Sequence, residues 1–183
     1  MAHPSLDEMM ARMRAAREAG SANEASPEQL QRLRELARDC PAFTPNLLEL
    51  ARLLQLTDEP EVEMEQALEE IQGLLEQAVQ ASDRSAPALL ELAHFIDVFR
   101  DSPGVAEALF EESVASALRA LEGSWAGLID FWAMERTKDS LEKALKLSEL
   151  AVRVFPESPS IFNVVEDTKE KAARAGLLPR NEG

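Results

Sequence analysis

The chain has 183 residues, 45% of them hydrophobic, a single cysteine and a formal net charge of −15. A chain this long buries a core without help from metal or disulfides, and the lone Cys40 excludes an internal disulfide. The acidic balance disfavours nucleic acid and anionic membrane surfaces as partners, and no apolar run reaches the roughly 18 residues that a membrane span needs.

The charge is unevenly placed. Residues 1–52 carry 7 basic and 8 acidic side chains, residues 138–183 carry 8 of each, and residues 53–137 carry 4 basic and 18 acidic. Between Arg52 and Arg84 there is no basic residue. The start, Met1 to Glu8, lacks the basic and apolar regions of a secretory signal, so the expected location is cytoplasmic.

Tyrosine is absent, and the strong helix formers Ala, Leu, Glu and Arg dominate, so every segment reads as helix. The first helix is expected near 5–19, opened by Ser5 with Glu8 in a capping-box pattern and closed by Gly20. Its stripe of Leu6, Met9, Met10 and Met13, ringed by Arg12, Arg14 and Arg17, suits an N-terminal cap. The alternative is a docking helix for a partner or a second copy, giving a homodimer. The stretch Gly20-Ser21-Ala22-Asn23-Glu24-Ala25 reads as a flexible link, which separates residues 1–26 from a repeat domain over 27–183.

Four Ser-Pro or Thr-Pro pairs, at Ser26-Pro27, Thr44-Pro45, Ser102-Pro103 and Ser158-Pro159, mark further helix starts. In each, the hydroxyl accepts from an orphan amide, and the proline lacks an amide that had no partner there anyway. Helices follow at about 27–39, 45–56, 60–81, 86–99, 103–121, 125–136, 140–154 and 159–175, making about nine, with Gly176 ending the last. Cys40, beside Leu36 and Ala37 and with no His or Lys near it in sequence, is expected to be a buried, inert apolar residue. The run from Glu59 to Glu65 reads as a solvated helix start. Gly73 costs about 1 kcal/mol against alanine inside a helix, which suggests a close helix contact or a kink.

Apolar spacing supports these helices. Leu68, Ile71, Leu75, Ala78 and Val79 share one face, and so do Ala144, Leu147, Ala151 and Val154. In the last helix Ile161, Phe162 and Val165 stand opposite a polar face, as an end cap requires. Short connections favour antiparallel neighbours. Leu47-Leu48-Glu49-Leu50-Ala51 returns as Leu89-Leu90-Glu91-Leu92-Ala93 and, more faintly, as Leu128-Ile129-Asp130-Phe131, with starts 42 and then 39 residues apart. A period in this range signals stacked helical hairpins.

The hairpins resemble tetratricopeptide repeats. Leu47, Leu50, Ala51 and Leu54, then Leu89, Leu92, Ala93 and Ile96, match the large–large–small–large pattern of that family's first helix, and Ala144, Ser148, Ala151 and Pro156 match its second. The third segment departs from the pattern, with Trp132 at the small position and Glu135 at an apolar one. Over about 27–175 the resemblance implies an all-α fold: a right-handed superhelical array of about three antiparallel hairpins plus capping helices. It also implies a concave groove lined by first helices, presenting Leu48, Arg52 and Gln55, then Leu90, His94 and Asp97, then Ile129, Ala133 and Arg136. Family members that clamp a terminal carboxylate use lysine and asparagine there. This chain has leucine and isoleucine, and no lysine before Lys138, so an extended or helical peptide with apolar anchors is the better match. Trp125 and Trp132 are expected in core packing.

No residue set reads as catalytic, cofactor-binding or metal-binding. The two histidines, His3 and His94, are far apart, and HExxH, CxxC, GxGxxG and P-loop patterns are absent. Glu91, His94 and Asp97 share helical spacing, a common occurrence on an acidic helix. The expected function is a non-catalytic scaffold for a protein or peptide partner. The alternatives are a small acidic chaperone for an aggregation-prone partner and a self-assembling protein built through the first helix.

Overall fold

The computed structural model describes residues 4–20, 25–60 and 62–178. Among the described residues there are eight helices and no strand: α1 (Leu6–Glu18), α2 (Pro27–Asp39), α3 (Thr44–Leu56), α4 (Met64–Ala81), α5 (Ala86–Phe99), α6 (Pro103–Glu135), α7 (Lys138–Val154) and α8 (Pro159–Arg174). The sequence led us to expect nine. The difference is α6, which fuses the helices expected at 103–121 and 125–136. At the expected break, Ser124 Oγ donates to the Ala120 carbonyl at 2.7 Å, so the hydroxyl is spent inside the helix and does not cap a new one. The fourth helix also starts later, at Met64 instead of residue 60.

Capping follows the sequence at Ser5, Ser26 and Ser158, whose hydroxyls accept from the amides of Glu8 (3.2 Å), Gln29 (3.1 Å) and Ile161 (3.1 Å). It fails at two of the Pro-marked starts. The residue capping α3 is Phe43, with no side-chain bond, and Ser102 Oγ donates backward to the Arg100 carbonyl. Thr137 and Ser140 form a reciprocal capping box at α7 that the sequence reading missed, because its second member is Ser and not Glu or Gln. At the other end of the chain, Gly176 (φ +74°) follows α8. Its amide bonds to the Ala173 carbonyl and that of Leu177 to Ala172, a Schellman ending that needs the left-handed conformation.

The chain packs as two compact units, residues 1–116 and 117–183. The division between them falls within α6. Residues 21–24 of the link expected at 20–25 lie outside the described residues, but α1 itself is packed on α2. Met13 joins Leu36, Cys40 and Phe43 in one buried cluster, with Met9 against it, while Leu6 and Met10 stay exposed. Two ion pairs, Arg12–Asp39 and Arg17–Glu49, tie α1 further. A Cβ at Gly20 would strike the Gln29 side chain, so the residue just past α1 also lets α2 approach.

In the first unit α1 pairs with α2 and α3 with α4, while α2 packs on α3, α4 on α5, and α3 on α5. Leu47, Leu50, Ala51 and Leu54 of α3 and Leu89, Leu92 and Ile96 of α5 share the core with Leu30, Leu33, Ile71, Leu75 and Phe95. Gly73 lies on the exposed side of α4, and a Cβ there would meet nothing within 4 Å, so neither a close contact nor crowding explains it. Gly73→Ala should therefore stabilise the protein by roughly 0.5–1 kcal/mol through helix propensity alone. A urea midpoint that stays put or falls would contradict this.

Arg34 links three elements. Its guanidinium donates to Glu59 (2.6 and 3.0 Å) in the α3–α4 connection and to Glu70 (2.7 and 2.8 Å) on α4. Hydrogen bonding from Arg34 holds the Glu59 carboxyl below the usual carboxylate range, against the opposing effect of burial. The acidic run is thus not wholly solvated, because Glu59 is a structural ion-pair partner. Since the folded-state pKa is depressed, the stabilisation is fully present above the unfolded carboxylate pKa and disappears as pH falls through the folded one. Arg34→Ala should cost about 1–2 kcal/mol at neutral pH, the exposure of about a third being taken into account. The gap from wild type should narrow on acidification below the carboxylate range, and a gap independent of pH in urea titrations would refute the linkage.

In the second unit α7 packs on α8. The core is Ala126, Ile129 and Ala133 of α6, Leu141, Ala144 and Ala151 of α7, and Ile161 and Val165 of α8, with Trp125 and Trp132 packed against it. The Trp125 and Phe155 rings meet edge-on at 5.8 Å. Val154 and Phe162, expected on buried faces, are exposed. The buried face of α8 runs Ile161, Val165, Thr168, Ala172, and Phe162 sits one residue off it.

Candidate partner-binding groove

On α3 and α5 the repeated segment divides as its spacing predicts. Leu47, Leu50, Ala51, Leu89, Leu92 and Ala93 are buried, while Leu48 is half-buried and Leu90 is 41% exposed. A side chain one position after a buried one is rotated by about 100° on a helix, which carries Leu48 and Leu90 out of the hairpin core. They meet across a groove of about 380 Å³ between the two helices, lined also by Arg52, Glu91, Pro45 and Pro87. The prolines at the start of each helix lack an amide and need no partner there.

The last turn of α1 contributes to the rim. Arg17 lines the groove and holds Glu49 through a two-pronged pair, in which Arg17 Nε lies 2.8 Å from both carboxylate oxygens. Bonding to Glu49 raises the Arg17 pKa further above its ordinary value, so it stays cationic at any working pH. The first helix thus edges the groove without filling it. The groove offers two leucines for apolar contact and charges of both signs around them.

Of the nine residues expected in the groove, Leu48, Arg52 and Leu90 come together here. Gln55 lines a different cleft, and its side chain donates to the Ala51 carbonyl at 3.2 Å. His94 is exposed and packs edge-on against Phe110 of α6, at 5.0 Å. Asp97 is exposed near the end of α5, and Arg136 is exposed just past α6 with φ +54°. Ile129 and Ala133 cannot present to a groove, because both are fully buried in the core of the second unit. The cause is a one-residue slip. In the structure Ile129, Trp132 and Ala133, not Leu128, Phe131 and Trp132, follow the pattern of Leu47, Leu50 and Ala51, so the segment starts are 42 and then 40 residues apart. Leu128 and Phe131 are accordingly 39% and 60% exposed. The small residue missing from the expected register is Ala133, and reading it as the anchor would have set the alignment. In the sequence Arg17 belongs to the charged ring on the first helix, and nothing there places it beside α3.

Cys40 is buried. Among the described residues no group of three His, Cys, Asp or Glu side chains stands close enough to hold a metal ion. Among the same residues no helix is long and apolar enough to cross a membrane.

Helices packed in adjacent pairs, with a large–large–small core pattern on α3 and α5, make this a tetratricopeptide-like helical repeat protein. The model of the Myxococcota tetratricopeptide repeat protein family matches residues 1–83. An "uncharacterized 18.1 kDa protein in carS 3'region" of Myxococcus xanthus is 36% identical over 136 residues, which span 74% of this chain and 78% of that protein. Over residues 1–83 the chain belongs to this tetratricopeptide repeat family. No solved structure matches it significantly. Repeats of this type serve protein–protein interaction in general and are generally non-catalytic.

Proposed function

We propose that the protein is a non-catalytic adaptor that binds a segment of a partner protein in the α3–α5 groove. The observation that carries this reading is the division of labour in the repeated segment. Three residues of each copy are buried between helices, while Leu48 and Leu90 face a shared groove with Arg17 and Arg52 at its side. Two leucines about one hairpin apart would anchor apolar side chains of an extended or helical peptide, and the flanking charges would fix its direction. Packing of Met9 and Met13 within the first unit favours the cap role of α1 over self-assembly through it.

The test is Leu48→Asp combined with Leu90→Asp, Leu90 being exposed and Leu48 half-buried at the edge of the core. Partner capture from the native host, identified by mass spectrometry, should be lost, with the far-UV circular dichroism of wild type retained. Undiminished capture by a folded double variant would refute the groove.

A further inference from the structure

A second surface of the first unit has no part in the groove. The C-terminal end of α3, the connection after it, the first turns of α4 and the end of α5 enclose a cleft of about 530 Å³. Its lining includes the buried Leu54 and Ile71, and around it stand three large apolar side chains open to solvent: Leu56 (54% exposed), Met64 (79%) and Phe99. Scattered single apolar residues are normal on a surface, whereas several around one cleft mark a contact site. The volume falls in the range of about 300–1,000 Å³ typical of ligand pockets, enough for one or two apolar side chains.

The segment that supplies most of the lining carries charge of one sign. Residues 53–83 carry nine acidic side chains and no basic one. Arg34 and Arg100, from elsewhere in the chain, are already engaged with Glu59, Glu70 and Glu65. Asp58 lines the cleft and is exposed, and Glu63 next to Met64 is exposed too. The end of α3 adds to the effect. α3 has no basic residue in its last turn and runs out into extended backbone at Thr57 (φ −121°, ψ 124°), whereas α5 is capped by Arg100, which is held by Glu65. Carbonyl groups at a helix C-terminus carry partial negative charge and favour donors and cations.

We propose that this cleft docks a basic amphipathic segment of a partner protein: a Leu, Met or Phe side chain entering the cleft, flanked by Lys or Arg that meet Asp58, Glu63 and the end of α3. This site is separate from the α3–α5 groove, whose rim carries both signs of charge, and it does not depend on that groove being used.

The test is fluorescence anisotropy on the full chain with three labelled probe peptides. One is lysine-rich with leucines at helical spacing, the second has alanine in place of those leucines, and the third has glutamate in place of the lysines. The first should bind, and the second and third should bind at least about tenfold more weakly, with affinity for the first falling steeply as salt rises. Leu56→Ser with Met64→Ser should weaken binding of the first probe about tenfold or more, whereas Leu48→Ser with Leu90→Ser should leave it unchanged. If the cleft variant failed to fold, Asp58→Asn with Glu63→Gln, two exposed positions, would give the same reading through charge. No binding of the first probe, equal binding of the alanine or glutamate probe, or wild-type affinity in a folded cleft variant would each overturn the proposal. Loss of binding in the Leu48/Leu90 variant instead would place the basic segment in the groove and likewise overturn the cleft.

Discussion

Leu89→Ala is expected to destabilise the protein by about 2–5 kcal/mol, whereas Leu90→Ala, one residue on, should cost less than about 1 kcal/mol. Leu89 is fully buried in the core that α3, α4 and α5 share, and its truncation leaves a cavity that flanking helices fill only in part. Leu90 already meets solvent in the groove, so its truncation removes little buried surface. Urea denaturation followed by far-UV circular dichroism would show a large fall in midpoint for the first variant and a small one for the second. Similar shifts in both would mean that the leucine pair does not divide between core and groove. The contrast also bears on function, because Leu90→Ala, unlike Leu89→Ala, leaves a folded protein in which any loss of partner binding belongs to the groove.

The first two copies of the repeat were legible because each carries its full pattern on a helix with clear ends. Large residues at 47, 50 and 54 with a small one at 51 fix one face, and the copy at 89–96 fixes the same face again. The third copy was not legible to the same degree. Leu128 and Ile129 are adjacent and both large, so spacing alone admits two registers, and similarity to the earlier Leu-Leu start favoured the wrong one. Packing decides for Ile129, because Ala133, four residues on, is fully buried against the same core whereas the exposed Phe131 would have been the buried partner in the other register.

The helix ends show a similar split. Ser26 and Ser158 cap as Ser-Pro signals should, but Ser102 bonds backward and Thr44 lies inside its helix, because a hydroxyl takes whichever backbone group its local turn brings nearest. The missing break in α6 has the same origin, since Gly123 and Ser124 weaken a helix but do not end it unless the chain gains contacts by turning. Of the candidate site, the leucines of the groove were readable as the residues next to a buried stripe. The Arg17–Glu49 contact and the apolar cleft were not, since they depend on where α1 and the connection after α3 come to rest. Nothing local in the sequence encodes that placement.

The register of the third copy can be tested directly. Both tryptophans of the chain, Trp125 and Trp132, lie in the second unit and pack against its core, so their fluorescence reports that unit. Ile129→Ala should lower its stability by about 2–5 kcal/mol, because a fully buried side chain is removed from between α6, α7 and α8. Leu128→Ala, at a position 39% exposed, should cost less than about 1 kcal/mol. In the alternative register the order reverses, with Leu128 as the core residue and Ile129 facing out, so the two variants decide the matter between them. A third variant sharpens the decision. Ala133→Leu would force extra methyl groups into a site with no room for them, and overpacking of this kind costs about 1–3 kcal/mol. If Ala133 faced a groove, as the family resemblance first implied, the same change would be nearly neutral. A fluorescence-detected urea midpoint that falls for Ile129→Ala and Ala133→Leu but not for Leu128→Ala would establish that the third copy turns its Ile–Ala face inward. It would also take Ile129 and Ala133 out of any partner-binding surface.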